Sequence, residues 1–166
     1  MGEVRVHRRP RVAILGTGDE LVPPGEPLGL AQIPDSNSVA LAALAHASGA
    51  EVVPLGVARD RREEVLARLR AGIAAADVVV TSGGVSAGDL DLLPAEAARA
   101  GFEILFHGVA VRPGKPVAVG RRGETLWFGL PGNPVSASVG FHLFVRFALD
   151  CREGAAAPGA AVRRAR

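Results

Sequence analysis

The sequence predicts an α/β fold, a three-layer α/β/α sandwich with a mainly parallel sheet. Short apolar runs alternate with helical stretches along the chain, which is the pattern of strands joined by crossover helices. One run, DVVVTS at 77–82, is largely β-branched and apolar, as expected for a strand that is covered on both faces. The 166 residues suffice for one domain with its own core.

The chain begins this alternation with a short apolar strand, RVAIL at 11–15, and a Pro- and Gly-rich loop that runs to about residue 35. The segment SNSVALAALAHASG then predicts a helix. Ser36 or Asn37 is expected near its cap, and Gly49 is expected to close it. The first strand and the first helix are thus separated by a long polar loop.

A second strand, helix and strand follow. EVVPLGV predicts a strand, and Pro54 places it at a sheet edge or makes it irregular, because proline cannot donate to a ladder. DRREEVLARLRAGIAAA predicts a helix with an apolar stripe, whose first turn is expected to carry a capping box formed by Asp60 and Glu63. The buried strand DVVVTS comes next.

The second half predicts a helix at LLPAEAARAG and three short strands at FHGVAV, KPVAVG and TLWFGL. The turn RRGE, Arg121–Glu124, joins the last two strands. NPVSASVGFHLFVRFAL predicts the closing helix, with Asn133 as its cap and Pro134 at its first position. The predicted domain spans 10–150, after an N-terminal extension at 1–9 and before a flexible tail or linker stub at 151–166.

Composition excludes several classes of protein. The 19 basic and 17 acidic residues leave a charge of +2, which argues against a general nucleic-acid binder. A single cysteine, Cys151, rules out an intramolecular disulfide and suits a reducing compartment. No apolar run reaches the ~18 residues of a membrane span. We expect a cytoplasmic protein with no nucleic-acid or membrane partner.

Three polar, glycine-rich loops follow predicted strands: GTGDEL, TSGGVSAGDLD and LPGNPVSAS. Ligands of open α/β sheets bind outside the carboxyl ends of the strands, so these loops predict one binding site. In the first loop, Asp19 and Glu20 have the chemistry to hold a metal ion or accept a proton. They are equally consistent with solvated loop acids.

The second loop combines backbone N–H groups that can approach an anion with hydroxyl donors. Its predicted ligand contacts are Thr81, Ser82, Gly83, Gly84, Ser86 and Gly88. Asp89 and Asp91 add hard oxygen ligands of the kind Mg²⁺ prefers. The alternative is a tight strand-to-helix turn in which Asp91 only caps the next helix.

The third loop presents a helix N-terminus, which favours anions, with Gly132, Asn133 and Ser136 as predicted contacts. Ordinary helix capping is the alternative. The turn VRPGKP adds two cations, Arg112 and Lys115, that can clamp a phosphate or oxyanion unless they are simply surface charges. Lys115 is the one lysine among 19 basic residues.

GTGDEL, DSN, TSGGVSAGDLD, RPGKP and LPGNPVSA, in this order and at these spacings, resemble the molybdopterin molybdotransferase family of the MoeA and gephyrin C-terminal type. The resemblance covers about Pro10 to Leu149. It implies the molybdopterin-binding domain, with a MogA- and MoaB-like fold. It also implies binding of adenylylated molybdopterin, Mg²⁺-dependent hydrolysis of its pyrophosphate bond, and transfer of molybdate onto the dithiolene.

The resemblance also implies roles for particular residues. Glu20, Asp60 and Asp91 match acidic positions implicated in that activity, while Arg112, Lys115 and Ser136 match positions that would hold molybdate or phosphate. The implied catalytic set is therefore Glu20, Asp60, Asp91 and Lys115, and the implied metal ligands are Asp89, Asp91 and Glu20. The family usually has lysine where this chain has Arg112. A homo-oligomer is expected, with a trimer favoured over a dimer.

Two other functions remain open at this point, and a third, that of a competence-damage-like nucleotide hydrolase, is disfavoured by the same motifs. Molybdopterin adenylyltransferases are single-domain proteins of about this length, but their glycine loop is of the GGTG type, whereas this chain has GGVSAG. A non-catalytic molybdopterin-binding module is the second alternative. Full members of the transferase family carry further domains on both sides, so the chain is expected to be either one excised domain or a stripped-down relative.

Overall fold

A computed structural model describes residues 3–84, 92–156 and 158. The strands among them are β1 (Arg11–Thr17), β2 (Leu21–Val22), β3 (Ile33–Pro34), β4 (Glu51–Ala58), β5 (Val78–Ser82), β6 (Glu103–His107), β7 (Ala118–Arg122) and β8 (Thr125–Leu130). The helices are α1 (Ser36–Ala47), α2 (Arg62–Ala75), α3 (Leu92–Arg99), α4 (Pro134–Gly140) and α5 (Arg146–Arg152), with a π-helical turn at Phe141–Val145 between α4 and α5.

The main sheet has six strands in the order β4-β1-β5-β8-β7-β6. The pairs β4–β1, β1–β5 and β5–β8 are parallel, and the pairs β8–β7 and β7–β6 are antiparallel. The predicted mainly parallel sheet is therefore confirmed. β5 lies near its centre and every one of its residues is buried, as its β-branched sequence predicted.

Helices cover both faces of the sheet and form two apolar cores. On one face, Leu41 of α1 and Leu149 of α5 pack with Val12 of β1. On the other face, Leu69 of α2 and Leu93 of α3 pack with Ala13 and its neighbours. Side chains of a strand alternate between the faces, so β1 supplies both cores. The three-layer sandwich is thus confirmed.

Two helix starts differ from the prediction. The cap of α1 is Asp35, whose Oδ1 accepts a hydrogen bond from the Ser38 amide at 3.0 Å, and not Ser36 or Asn37. The predicted capping box of α2 is wrong, because the N-cap is Arg61 and it makes no side-chain capping bond. The Asp60 amide instead donates to Asp19 Oδ1 at 3.1 Å. The chain before α2 is therefore held by the loop after β1.

At the edges of the sheet, the prediction for β4 is confirmed, and the bounds of two other strands differ from the prediction. β4 is an edge strand, and its register shifts between Ile14 and Leu15 of the neighbouring strand, where Pro54 interrupts it. The strand predicted at FHGVAV ends at His107, because the chain turns at Gly108, which has a φ of +86°. β7 correspondingly begins at Ala118 rather than at 115.

No described helix is long and apolar enough to cross a membrane.

Asp77 connects the N-terminal segment to the domain. Its carboxylate accepts hydrogen bonds from both Nη atoms of Arg8 and, at 2.8 Å, from the amide of Arg11. Arg152 of α5 lies 3.9 Å away. The hydrogen bonds of the Arg8 guanidinium lower the pKa of Asp77, against a smaller effect of burial. The carboxylate is therefore stabilised in its ionised form in the folded state.

Asp77→Asn is expected to lower the free energy of unfolding at pH 7 by about 1 kcal/mol, a modest value because the Arg8 side chain is 69% exposed. A depressed pKa stabilises the folded state above the unfolded pKa of about 4, and this contribution is lost as the pH falls below it. Urea unfolding of both proteins at pH 7 and pH 3 checks this. A difference that is as large at pH 3 as at pH 7 would contradict it.

Candidate functional site

A small cavity of about 100 Å³ opens at the carboxyl edge of the parallel strands. All three predicted loops contribute to its wall, together with the segment that leads into α1. Its lining residues are Thr17, Glu20, Leu21, Ile33, Pro34, Asp35, Ser36, Asn37, Ser82, Gly83, Gly132 and Pro134. The loops after β1, β5 and β8 therefore meet, as the sheet topology predicted.

Hydrogen bonds hold these loops together. The Thr17 hydroxyl donates to the carbonyl of Ser82 at 3.1 Å, and the Gly83 amide donates to the carbonyl of Leu130 at 3.1 Å. Gly83 has a φ of +96°, and a Cβ atom at this position would lie 2.3 Å from the Thr17 carbonyl oxygen. The close approach of the loops after β1 and β5 therefore requires glycine here.

Two polar side-chain atoms in the wall are buried without a hydrogen-bond partner in the part of the chain that the structure describes. They belong to Ser82, whose Oγ is unpaired and whose exposure is 1%, and Asn37, whose Oδ1 is unpaired and whose exposure is 8%. Each such group costs about 1–3 kcal/mol when it is left unpaired. Both atoms are therefore positions at which a ligand or a water molecule can form a hydrogen bond.

An acidic group lies beside the cavity, at the ends of β1 and β4. It comprises Asp19, Glu20 and Asp60, and Arg59 donates hydrogen bonds to the carbonyls of Asp19 and Leu21. Burial raises the pKa of Asp60, and the charges of Asp19 and then Glu20 raise it further. Like charges that disfavour ionisation in this way would be stabilised by a cation.

A complete metal site is not formed by these residues alone. Among residues 3–84 and 92–156, no three or more His, Cys, Asp or Glu side chains are placed to hold a metal ion. The other predicted metal ligands, Asp89 and Asp91, lie outside the described residues, as do Ser86 and Gly88. Glu20 lines the cavity, and Gly84 follows Gly83 on the loop after β5.

Thr81 does not fit its predicted role as a ligand contact. Its hydroxyl accepts a hydrogen bond from Trp127 Nε1 at 3.1 Å and is fully buried. Successive residues of a strand point to opposite faces, so Thr81 joins the core on the α2 and α3 side while Ser82 lines the cavity. Thr81 serves the core, and the prediction is corrected accordingly.

The N-terminus of α4 has an ordinary helix cap, which was the alternative interpretation of the LPGNPVSAS loop. Asn133 Oδ1 accepts from the Ser136 amide at 3.1 Å and from the Ser136 hydroxyl at 3.4 Å. Gly132 lines the cavity, and its carbonyl accepts from Asn37 Nδ2 at 2.8 Å. Ser136 is buried one turn into the helix and does not line the cavity. Asn133 and Ser136 therefore shape the loop that carries Gly132.

Arg112 and Lys115 are both exposed, on a turn that lies against the first turn of α4. A Cβ atom at Gly114 would come within 3.7 Å of the Ser136 carbonyl oxygen, which shows how closely the turn approaches the helix. Neither cation forms an ion pair with a described residue, and neither lines the cavity. Their turn contacts α4 at Ser136 and Val139, one turn beyond Pro134 of the cavity wall.

A family model described as a probable molybdopterin binding domain matches residues 13–150. The chain belongs to this family. The resemblance seen in the motifs is confirmed, and the match covers the three loops of the candidate site and all of the described helices and main-sheet strands except the first two residues of β1 and the last two of α5.

Curated relatives and solved structures agree with this membership. Molybdopterin molybdenumtransferases of a Nostoc species and of Haemophilus influenzae are 44% and 42% identical over 147 residues, which is 87% and 88% of this chain. The molybdopterin biosynthesis MoeA protein from Pyrococcus horikosii superposes with a TM-score of 0.81 at 39% identity, over 89% of this chain. This molybdopterin-binding domain spans about a third of each: 34%, 36% and 36%.

A more distant structure shares the fold alone. The MoaB protein of a Thermus species superposes with a TM-score of 0.64 at 22% identity. Asn37 is one of the cavity residues that the sequence did not predict for the site. The sequence predicts Ser36 or Asn37 near the cap of α1. In the structure, Asn37 lies two residues after Asp35, in the DSN stretch, and its amide donates to the Gly132 carbonyl in the loop after β8. The DSN motif was the available signal.

Proposed function

We propose that this domain binds molybdopterin where its three loops meet and takes part in the insertion of molybdenum, as a molybdopterin molybdotransferase does. The observation that carries the proposal is the cavity itself. It joins the GTGDEL, TSGG and LPGN segments, and its wall contains two buried polar atoms that lack partners among the described residues. Relatives that carry the same domain are named molybdopterin molybdenumtransferases.

The charges around the cavity suit both the oxyanions and the metal ion of this reaction. Molybdate and phosphate are oxyanions, and Arg112 and Lys115 provide cations on the turn beside α4. On the other side lie Glu20 and Asp60. The proposed arrangement thus separates a cationic region that holds the oxyanion from an acidic region that holds a metal ion.

The acidic donor set suits Mg²⁺ because it consists of carboxylates. Burial is the main cause of the raised pKa of Asp60, and the smaller effect of the Asp19 and Glu20 charges is one that a cation would offset. Glu20, with Asp89 and Asp91, would hold the ion, and Asp60 is a further acidic group of the proposed site. When bound, Mg²⁺ supplies Lewis-acid stabilisation of the charge that develops on a phosphoanhydride. The residues of the proposed site position the pyrophosphate. Arg59 fixes the loop that carries Asp19 and Glu20.

The test is titration of the purified chain with molybdopterin and with its adenylylated form, with and without Mg²⁺. We expect both to bind, and we expect Mg²⁺ and molybdate together to release AMP from the adenylylated form. Formation of the adenylylated form from ATP would indicate an adenylyltransferase instead. Binding without either reaction would indicate a non-catalytic module. Failure of both ligands to bind would refute the proposal.

Lys115→Ala is expected to weaken binding of molybdate or of the pterin phosphate by about 1–3 kcal/mol, the value of a charge-assisted contact. Lys115→Arg should also be impaired, since a guanidinium is wider than an ammonium and prefers a bidentate partner. Arg70→Ala, on the exposed side of α2, is the control for a lost positive charge. Ligand titration checks all three, and parental binding by Lys115→Arg would contradict the role given to this lysine.

Self-association is a further expectation of the proposal, with a trimer favoured over a dimer. An apolar groove of about 640 Å³ between β6 and the helices after β8 exposes Leu105, Phe106, Leu143 and Phe147. Sedimentation equilibrium should give about three times the 17.1 kDa of the chain. Leu105→Asp should shift the mass toward that of one chain. A parental protein that stays monomeric at high concentration would contradict the expectation.

A further inference from the structure

The amide of Asn37 has a fixed orientation in the cavity wall. Its Nδ2 atom donates to the carbonyl oxygen of Gly132 at 2.8 Å, and only the nitrogen of the amide can make that bond. Oδ1 is therefore the free end, and it is buried with no donor from the described residues. What this side chain offers a ligand is an acceptor.

The other polar groups of the wall add to this character. Ser82 Oγ is also buried and unpaired, and a hydroxyl can donate or accept. Glu20 contributes a carboxylate, which only accepts. The Gly83 amide, which would otherwise be available as a donor, is already bonded to the Leu130 carbonyl. An oxyanion, which has only acceptors, is poorly matched to this wall.

The lining of the cavity also favours the edge of an apolar ring over a hydrated cation, which the acidic group beside the cavity would hold instead. Leu21, Ile33, Pro34 and Pro134 form apolar parts of the wall, where a hydrated ion gains nothing. Asp35 already accepts from the Ser38 amide. The volume of about 100 Å³ corresponds to about three water molecules, so the cavity takes one end of a ligand and not the whole of it.

We propose that this cavity binds the amino-bearing edge of a flat heterocycle. Asn37 Oδ1 accepts a hydrogen bond from the exocyclic amino group, and Ser82 Oγ donates to the adjacent ring nitrogen. The inference rests on the proposed function, because the pterin of molybdopterin and the adenine of its adenylylated form both carry such an edge. The phosphates then extend out of the cavity.

Two matched pairs of compounds test this inference and show whether the pterin ring or the adenine ring occupies the cavity. Pterin and lumazine differ in the 2-amino group, and AMP and IMP differ in the 6-amino group. Each is used as a competitor of molybdopterin bound to the full chain. We expect one amino compound to compete at least about fivefold better than its oxo partner, because the oxo compound presents a carbonyl oxygen to Asn37 Oδ1, and two acceptors cannot form a hydrogen bond. The pair that discriminates identifies the ring in the cavity.

Asn37→Ala should bring that ratio close to one, while Val39→Ala, on the exposed side of the same helix, should leave it unchanged. Thermal unfolding checks that the Asn37→Ala variant is folded. If the variant does not fold, the amino and oxo compounds still test the inference on the parental protein. Equal competition within both pairs, or no competition by any of the four, would overturn the inference although molybdopterin binds. A discrimination that survives in Asn37→Ala would also overturn it. Failure of molybdopterin itself to bind would instead refute the proposed function.

Discussion

Gly83→Ala is expected to lower the free energy of unfolding by about 3 kcal/mol or more, since strain at a positive φ adds to a backbone clash. The residue has a φ of +96°, and the new methyl group would lie 2.3 Å from the carbonyl oxygen of Thr17. That oxygen belongs to the main chain and cannot move away as a flexible side chain would. Urea unfolding measures the loss.

Gly25→Ala is the matched control for this change. Gly25 has a φ of +93°, almost the same as that of Gly83, but a Cβ atom there would have no neighbour within 4 Å. The control should therefore show only the conformational cost, about 1–2 kcal/mol. Equal losses for the two variants would mean that the loops after β1 and β5 can move apart, which contradicts the tightly joined site described above.

Asp60→Asn is expected to reduce the proposed Mg²⁺-dependent release of AMP by about 100-fold, the upper part of the range for lost metal-site contacts. The same variant should be at least as stable as the parental protein at pH 7. Stability and activity thus change in opposite directions, which a purely structural residue would not do. Steady-state assays and thermal unfolding measure the two effects.

The sign of the stability change follows from the raised pKa of Asp60. The folded state binds this proton more tightly than the unfolded state, so ionisation destabilises the folded protein above that pKa. Asn removes the penalty at pH 7, and the difference disappears below about pH 4, where the carboxyl is protonated in both states. Glu63→Gln is the control, a neighbouring acid without a capping role. An Asp60→Asn variant with full activity would contradict the assignment.

The arrangement of the fold was accessible from the sequence because it depends on patterns that many residues share. The β-branched run of β5 and the alternation of strands and helices each predict burial and connectivity without any single contact being decisive. The convergence of the three loops followed from the same topology. Boundaries were less accessible where a glycine turns the chain, as Gly108 does after β6.

Individual side chains in the site were harder to predict, because their roles depend on contacts between distant segments. Thr81 and Ser82 are adjacent in sequence, yet Trp127 from β8 decides that one of them serves the core. Asp60 and Glu63 have the spacing of a capping box, but Asp19 holds the Asp60 amide instead. Asn37 looked like a cap because its partner, Gly132, lies 95 residues further along the chain.

Amide hydrogen exchange with and without saturating molybdopterin tests the location of the site most directly. We predict slower exchange in the segments 17–22, 33–38, 82–84 and 131–136, which surround the cavity, and unchanged exchange in β6 and α5. Protection of β6 and α5, which border the apolar groove at the far edge of the sheet, with no change around the cavity, would contradict the proposed molybdopterin site.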